Sequence, residues 1–152
     1  MPTLARPDAK PIDQRKRVTG MTNKELFDSA CAMLGRAYVP YSHFAVGACL
    51  LGEDGRTFSG CNIENASYGA TICAERAAVC AAVCAGVRRV KKIAVVGAAS
   101  AAWPCGICRQ VLFEFGGADL EVICGNAQTG EYVVTTLGAL LPNAFGPLSL
   151  GK

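Results

Sequence analysis

Apolar positions switch between two periods along the chain, and the switches mark the elements. Thr22 and Glu25 stand at capping-box spacing, and Phe27, Ala30, Cys31, Leu34 and Ala37 follow at helical period. This predicts a first helix of about 14 residues, ended by Pro40. Phe44 to Leu51 is a nearly continuous apolar run. Gly52-Glu53-Asp54-Gly55 and then Arg56 to Asn62 follow it, which reads as a β-hairpin with a buried first strand. Cys73 to Val87 is rich in alanine and charged only at Glu75 and Arg76, the pattern of a buried helix. Lys92 to Ala98 reads as a buried strand, and Pro104 opens a helix that runs to Phe115. Leu120 to Cys124 and Glu131 to Thr135 read as strands joined by the Asn126–Gly130 turn, before a short helix around Leu137–Leu141. The order α, β, β, α, β, α, β, β, α predicts a sheet between helices, an α/β layer architecture.

Length and charge narrow this picture. The 152 residues fit one domain, and 51% hydrophobic against 18% charged residues excludes a disordered polymer. Every stretch long enough to span a bilayer contains a charge or a helix breaker, so no membrane segment is expected. The first residues show no apolar segment behind their basic ones, so no secretory leader is expected either. Residues 1–20 carry Arg6, Lys10, Arg15, Lys16 and Arg17 against Asp8 and Asp13, which accounts for the whole net charge of +3. They read as a flexible basic tail before a domain spanning residues 21–152. The neutral body lacks the basic footprint of a nucleic-acid partner. Arg88, Arg89, Lys91 and Lys92 form one local cluster and read as a solvated loop. Nine cysteines without a leader point to a reduced, cytoplasmic chain with buried thiols and a candidate metal site.

The chemistry concentrates in Cys73-Ala74-Glu75 and Pro104-Cys105-Gly106-Ile107-Cys108. Alone, Cys-x-x-Cys is a redox dithiol, half of a structural zinc site or a coincidence. A closed zinc site needs a fourth ligand, yet no second such pair exists and His43 is the only histidine. Three thiolates leave the fourth position of a tetrahedral zinc open to water, and a nearby carboxylate can then move protons. In a regular helix, residues i and i+2 point about 200° apart, so Cys73 must sit at the helix entrance with non-helical dihedrals. Arg76 is the natural cation to hydrogen-bond cysteine sulfur. Cys80 and Cys84 share a helical face with Cys73 and read as small core residues rather than a second cluster. His43 lies at the mouth of a strand and reads as structural.

Cys-x-Glu followed by Pro-Cys-x-x-Cys is the zinc-dependent deaminase signature. Tyr41-Ser42-His43-Phe44, Gly60-Cys61-Asn62-Ile63-Glu64-Asn65-Ala66, Cys73-Ala74-Glu75-Arg76, Pro104-Cys105-Gly106-x-Cys108-Arg109-Gln110 and Leu140-Leu141-Pro142-x-x-Phe145-Gly146-Pro147 extend it over residues 41–147. The chain thereby resembles the small homotetrameric members of the cytidine and deoxycytidylate deaminase family. That resemblance implies a three-layer α/β/α sandwich with a mixed five-stranded sheet. It implies one Zn2+ per subunit on Cys73, Cys105 and Cys108, with Glu75 as proton shuttle and Arg76 facing the thiolates. It further implies that Asn62 and Glu64 bond the ribose hydroxyls and that Phe44 lies beside the pyrimidine, and the backbone near Ala74 and Cys105 is then expected to hold the base edge. Ala66 and Tyr68 match positions that reach a neighbouring subunit's site, and Phe145 an aromatic that closes it. The implied activity is hydrolytic deamination of cytidine and 2′-deoxycytidine in pyrimidine salvage, by attack of hydroxide on the metal at C4. Gly69-Ala70-Thr71 departs from versions with a proline after Tyr68. Two other readings stand beside this one. A deaminase for a modified nucleoside such as blasticidin S shares the motif, but Asn62 and Glu64 favour a ribose. A zinc-stabilised binding or RNA-editing-like module is disfavoured by the neutral body and by Glu75.

Overall fold

The computed structural model describes residues 20–151. Apart from Gly20, the basic tail expected at residues 1–20 therefore lies outside the described residues, as does Lys152. The first helix, α1 (Asn23–Cys31), starts on the anticipated cap. The Thr22 hydroxyl accepts the Glu25 N–H at 3.2 Å, and the Glu25 carboxylate accepts the Thr22 N–H at 2.8 Å. The helix is shorter than the periodicity predicts. It tightens into a 3-10 turn at Leu34–Arg36, where Gly35 weakens the helix and Tyr38 must reach a bridge with Ile63.

The strands are β1 (Val46–Gly52), β2 (Thr57–Cys61), β3 (Val90–Gly97), β4 (Glu121–Asn126) and β5 (Tyr132–Thr136). They form one mixed sheet in the order β2-β1-β3-β4-β5, in which only β3 and β4 run parallel. Side chains alternate across it. Cys49, Leu51, Ala94, Val96 and Ile123 pack on α1. Ala48, Leu50, Ile93, Val95, Val122 and Cys124 face the opposite layer, made by α2 (Ala74–Cys84) and α3 (Gly106–Gly116). This is the three-layer α/β/α sandwich with a mixed five-stranded sheet. A single helical turn, α4 (Leu137–Leu140), and a 3-10 turn at Pro147–Leu150 close the chain.

Two expectations are corrected. Pro104 does not begin the helix after β3; α3 starts at Gly106 with Cys105 as its N-cap. The Pro104 carbonyl is drawn away to the Arg109 guanidinium at 2.7 Å, which keeps Cys105 extended. Cys80 and Cys84 are exposed rather than core. The inward face of α2 is Ala74, Glu75, Ala78, Val79 and Ala82, and Cys80 lies about 200° around the helix from Ala78.

Gly60 sets where α2 sits. A Cβ there would lie 2.4 Å from the Ala74 carbonyl oxygen and 2.6 Å from the Ala78 nitrogen. Only glycine lets the first turn of α2 rest directly on β2. That contact fixes the depth of the residues at the helix entrance.

Candidate active site

Cys73 is the N-cap of α2, with φ −73° and ψ 154°. This non-helical start turns its thiol and Glu75 toward one region, as the 200° argument required. Cys105 caps α3 in the same manner, with φ −68° and ψ 169°. Cys108 follows in the first turn of α3 and is fully buried. Neither N-cap side chain accepts a bond from its own helix, so both helix entrances turn free N–H groups and positive dipole ends toward the sulfurs.

Among the described residues, Cys73, Cys105 and Cys108 form the one group of three or more candidate ligands, with their Sγ atoms all within 4.8 Å of one another. The Cys73 and Cys105 sulfurs are 3.9 Å apart. Tetrahedral zinc with Zn–S near 2.3 Å sets sulfurs about 3.8 Å apart, so the donors fit that ion. Arg76 supports the fit. Its Nη2 donates to the Thr71 carbonyl at 2.8 Å and lies 3.9 Å from the Cys73 sulfur. Its Nε is buried with no protein partner, a donor left over beside the sulfurs. The Cys108 thiol and the Arg76 guanidinium hold the Cys73 thiol down at about 5. The proton shared with Cys73, and burial, push the Cys108 thiol up.

Glu75 is 4% exposed and is the one buried charged residue among the described residues. Burial raises its carboxyl from 4.5 to about 7, and the nearby Cys73 sulfur adds to the rise. A carboxyl in that range both accepts and gives a proton near neutrality.

A cavity of about 460 Å³ opens over these groups. Cys73, Ala74, Glu75 and Cys105 line one end, and Phe44, Asn62 and Glu64 line another part of its wall. Tyr68 lies outside it, in an adjoining groove with Tyr41, Ser42, Glu64 and Thr71. The Tyr41 and Tyr68 rings meet there edge-on at 5.9 Å. Ala66 is exposed and Phe145 is 61% exposed, and neither lines either space. Arg76 and Cys108 sit behind the cavity rather than in its wall.

Asn62 and Glu64 are already engaged. The Asn62 Oδ1 accepts the Val46 N–H at 2.9 Å, and its Nδ2 donates to the Phe44 carbonyl at 2.8 Å. Glu64 accepts the Tyr41 and Ser42 N–H groups at 2.9 and 3.2 Å and the Ser42 hydroxyl. The Ser42 hydroxyl, helped by those N–H groups, holds the Glu64 carboxyl below its usual range. Both residues therefore shape the Tyr41–Val46 segment that presents Phe44. His43 within it takes a left-handed backbone, φ 57°, and its N–H bonds the Val39 carbonyl at 3.1 Å. It stands apart from the cysteine cluster.

The cavity wall also includes residues that sequence reasoning missed. Trp103, the only tryptophan, lines it next to Cys105. Its place directly before Pro104-Cys105 was the available signal. Thr71, two residues before Cys73, was another.

Comparison with known proteins gives a consistent result. Residues 21–125 match the family model of the cytidine and deoxycytidylate deaminase zinc-binding region. A cytidine deaminase of Mycobacterium tuberculosis is 51% identical over 113 residues, covering 72% of this chain and 79% of that protein. One of Halalkalibacterium halodurans is 48% identical over 126 residues, covering 82% of this chain and 95% of that protein. The crystal structure of a cytidine deaminase from Burkholderia pseudomallei superposes with TM-score 0.78 at 50% identity, covering 82% of this chain and all of that one.

Proposed function

Because the chain belongs to the cytidine and deoxycytidylate deaminase family, we propose that it hydrolyses cytidine and 2′-deoxycytidine to the uridine nucleosides and ammonia. The observation that carries this reading is a single cavity that joins a buried carboxyl and two clustered thiols to two ribose-competent polar side chains.

In this reading Cys73, Cys105 and Cys108 hold one zinc ion per subunit. Bound there, zinc supplies Lewis acidity that makes water nucleophilic at neutral pH. Glu75 takes a proton from the water that adds at C4 and gives it to N3 of the ring. It then moves the second proton to the C4 amine, the C4–N bond breaks, and ammonia leaves. Arg76 fills the space beside the sulfurs and spreads their charge through its N–H groups. Phe44 offers a flat apolar surface to the base, and the backbone at Ala74, which lines the same cavity, would take its polar edge. Asn62 keeps one amide N–H free for a ribose hydroxyl, and Glu64 keeps unused lone pairs. A site built to bond hydroxyls disfavours free cytosine, which leaves them unpaired.

We extend the proposal to a homotetramer of the 21–152 domain, with Ala66, Tyr68 and Phe145 completing neighbouring sites. Tyr68 and Phe145 are large, apolar and exposed at 75% and 61% in the single chain, which suits residues that a partner covers. The free thiols suit a reducing, cytoplasmic compartment. No helix among the described residues is long and apolar enough to cross a membrane.

The test is ammonia release by the zinc-loaded protein with cytidine, 2′-deoxycytidine, cytosine and blasticidin S offered separately. Release from the two nucleosides and not from cytosine is expected. Release from blasticidin S alone would move the substrate. Release from none of them, with zinc bound, defeats the reading.

A further inference from the structure

Immediately after the buried Cys108, α3 carries Arg109 and Gln110, which take no part in the cavity wall. Arg109 spans two distant carbonyls. Its Nε donates to Pro104 and its Nη1 to Leu140, each at 2.7 Å. Pro104 is buried and directly precedes Cys105, so its carbonyl needs a donor that water cannot supply. Leu140 ends α4 and begins the segment that leads to Phe145. Gln110 holds that segment further on, donating from Nε2 to the Phe145 carbonyl at 2.8 Å. One residue later, Gly146 lies buried against the Phe113 ring, where a Cβ would come within 2.6 Å. Arg109, Gln110 and Phe113 thus form one seat on α3 for residues 140–146, while the first turn of the same helix presents Cys105 and Cys108.

We propose that Arg109 and Gln110 are positioning residues that clamp the C-terminal arm bearing Phe145 to the cysteine loop, so that metal occupancy and arm placement are coupled. This rests on the reading of the trio as a zinc site and of Phe145 as an aromatic that closes a nucleoside site. The guanidinium suits the task because its planar fork donates in two directions at once. A lysine ammonium is a point charge on one stem and holds one of the two carbonyls at a time. Bonds to a charged donor are stronger than neutral ones, so losing one frees the arm measurably. Coupling of this kind is reciprocal: whatever fixes the loop fixes the arm, and the reverse.

The experiment compares wild type, Arg109→Lys and Gln110→Ala, all zinc-loaded. Three readouts are taken: amide hydrogen exchange across residues 141–149, zinc release to a chelator, and KM and kcat for cytidine separately. Arg109→Lys should exchange roughly tenfold faster across the arm and release zinc several-fold faster, consistent with one charge-assisted bond lost. Gln110→Ala should loosen the arm with KM up several-fold and kcat within about twofold, and through the coupling it should speed zinc release, by a smaller factor than Arg109→Lys. A fold-stabilising role without positioning predicts no such split. Wild-type arm exchange or wild-type zinc release in Arg109→Lys would overturn the clamp. A wild-type protein that fails to deaminate cytidine overturns the functional reading instead, and exchange and zinc release still decide the clamp.

Discussion

Replacing Gly60 by alanine tests how the site is placed. The new Cβ would lie 2.4 Å from the Ala74 oxygen, 2.6 Å from the Ala78 nitrogen and 2.9 Å from the Ala77 Cβ. The first two are backbone atoms of α2, so no side chain can swing aside. Ordinary contact begins near 3.4 Å, so the start of α2 must retreat from β2 by about 1 Å. Overpacking of that kind costs about 1–3 kcal/mol. In a domain of this size that lowers Tm by about 3–10 °C. The functional effect should be larger in proportion, because the same turn carries Cys73 and Glu75. A displacement of 1 Å at reacting groups costs about a hundredfold in rate. Gly35→Ala is the control, since nothing lies within 4 Å of a Cβ there and its φ is not positive. The measurements are thermal unfolding and kcat for cytidine on both variants. A Gly60→Ala protein within 1–2 °C (roughly the scatter of such shifts) and twofold of wild type would refute the seating argument.

Other expectations follow from the same geometry. Glu75→Gln should keep zinc and lose about a hundred- to ten-thousand-fold in kcat, and full turnover with metal present would remove Glu75 from its role. Arg76→Ala should keep the fold and weaken zinc binding by about ten- to a hundredfold in a chelator competition; unchanged affinity would refute its part. Burial, and next the Glu75 charge, push the Cys124 thiol from 9.0 up to about 12, so the folded state favours its neutral form. The folded chain then holds more protons than the unfolded one between those values. That contribution is intact below pH 9.0 and is lost as pH rises toward about 12. Cys124→Ala should flatten this alkaline limb of denaturant midpoint against pH, and an unaltered limb would count against it. Trp103 should report occupancy of the cavity, its emission shifting when uridine binds to wild type, and a constant spectrum at saturation would place it away from the ligand.

Much of this was legible in the sequence where the cause is local. The Thr22–Glu25 cap reads directly because both partners lie within one turn. The extended backbone of Cys73 followed from helix geometry alone, once its thiol and Glu75 had to face one point. Non-local causes were not readable. Pro104 looks like a helix-opening residue, yet its carbonyl is claimed by the Arg109 side chain five residues on, which is itself pinned at Leu140, 31 residues away, and only that distant anchor is hidden from the sequence. The misplacement of Cys80 and Cys84 has another origin. Alanine and cysteine on every face of α2 leave no polar stripe to say which side is inward. The close approach of Ala74 to Gly60 decides it. Trp103 and Thr71 were missed for a related reason, because the cavity joins chain segments from residues 42 to 105.

Asn62 and Glu64 carry this point into the chemistry. Pattern alone offered them as ribose readers by resemblance, and the structure adds a second task that is independent of any ligand. Their side chains bond Phe44, Val46, Tyr41 and Ser42, partners 16 to 23 residues away in sequence. Truncating either removes a polar group from the cavity and also releases the segment that presents Phe44. Loss of nucleoside binding in an alanine variant therefore mixes two effects. A change of ribose contact alone depends on the hydroxyl supplied by the substrate, whereas collapse of the Tyr41–Val46 segment weakens every ligand alike. Comparing cytidine with its 2′- and 3′-deoxy forms in the same variant separates the two, since only a lost ribose contact makes the protein indifferent to the missing hydroxyl.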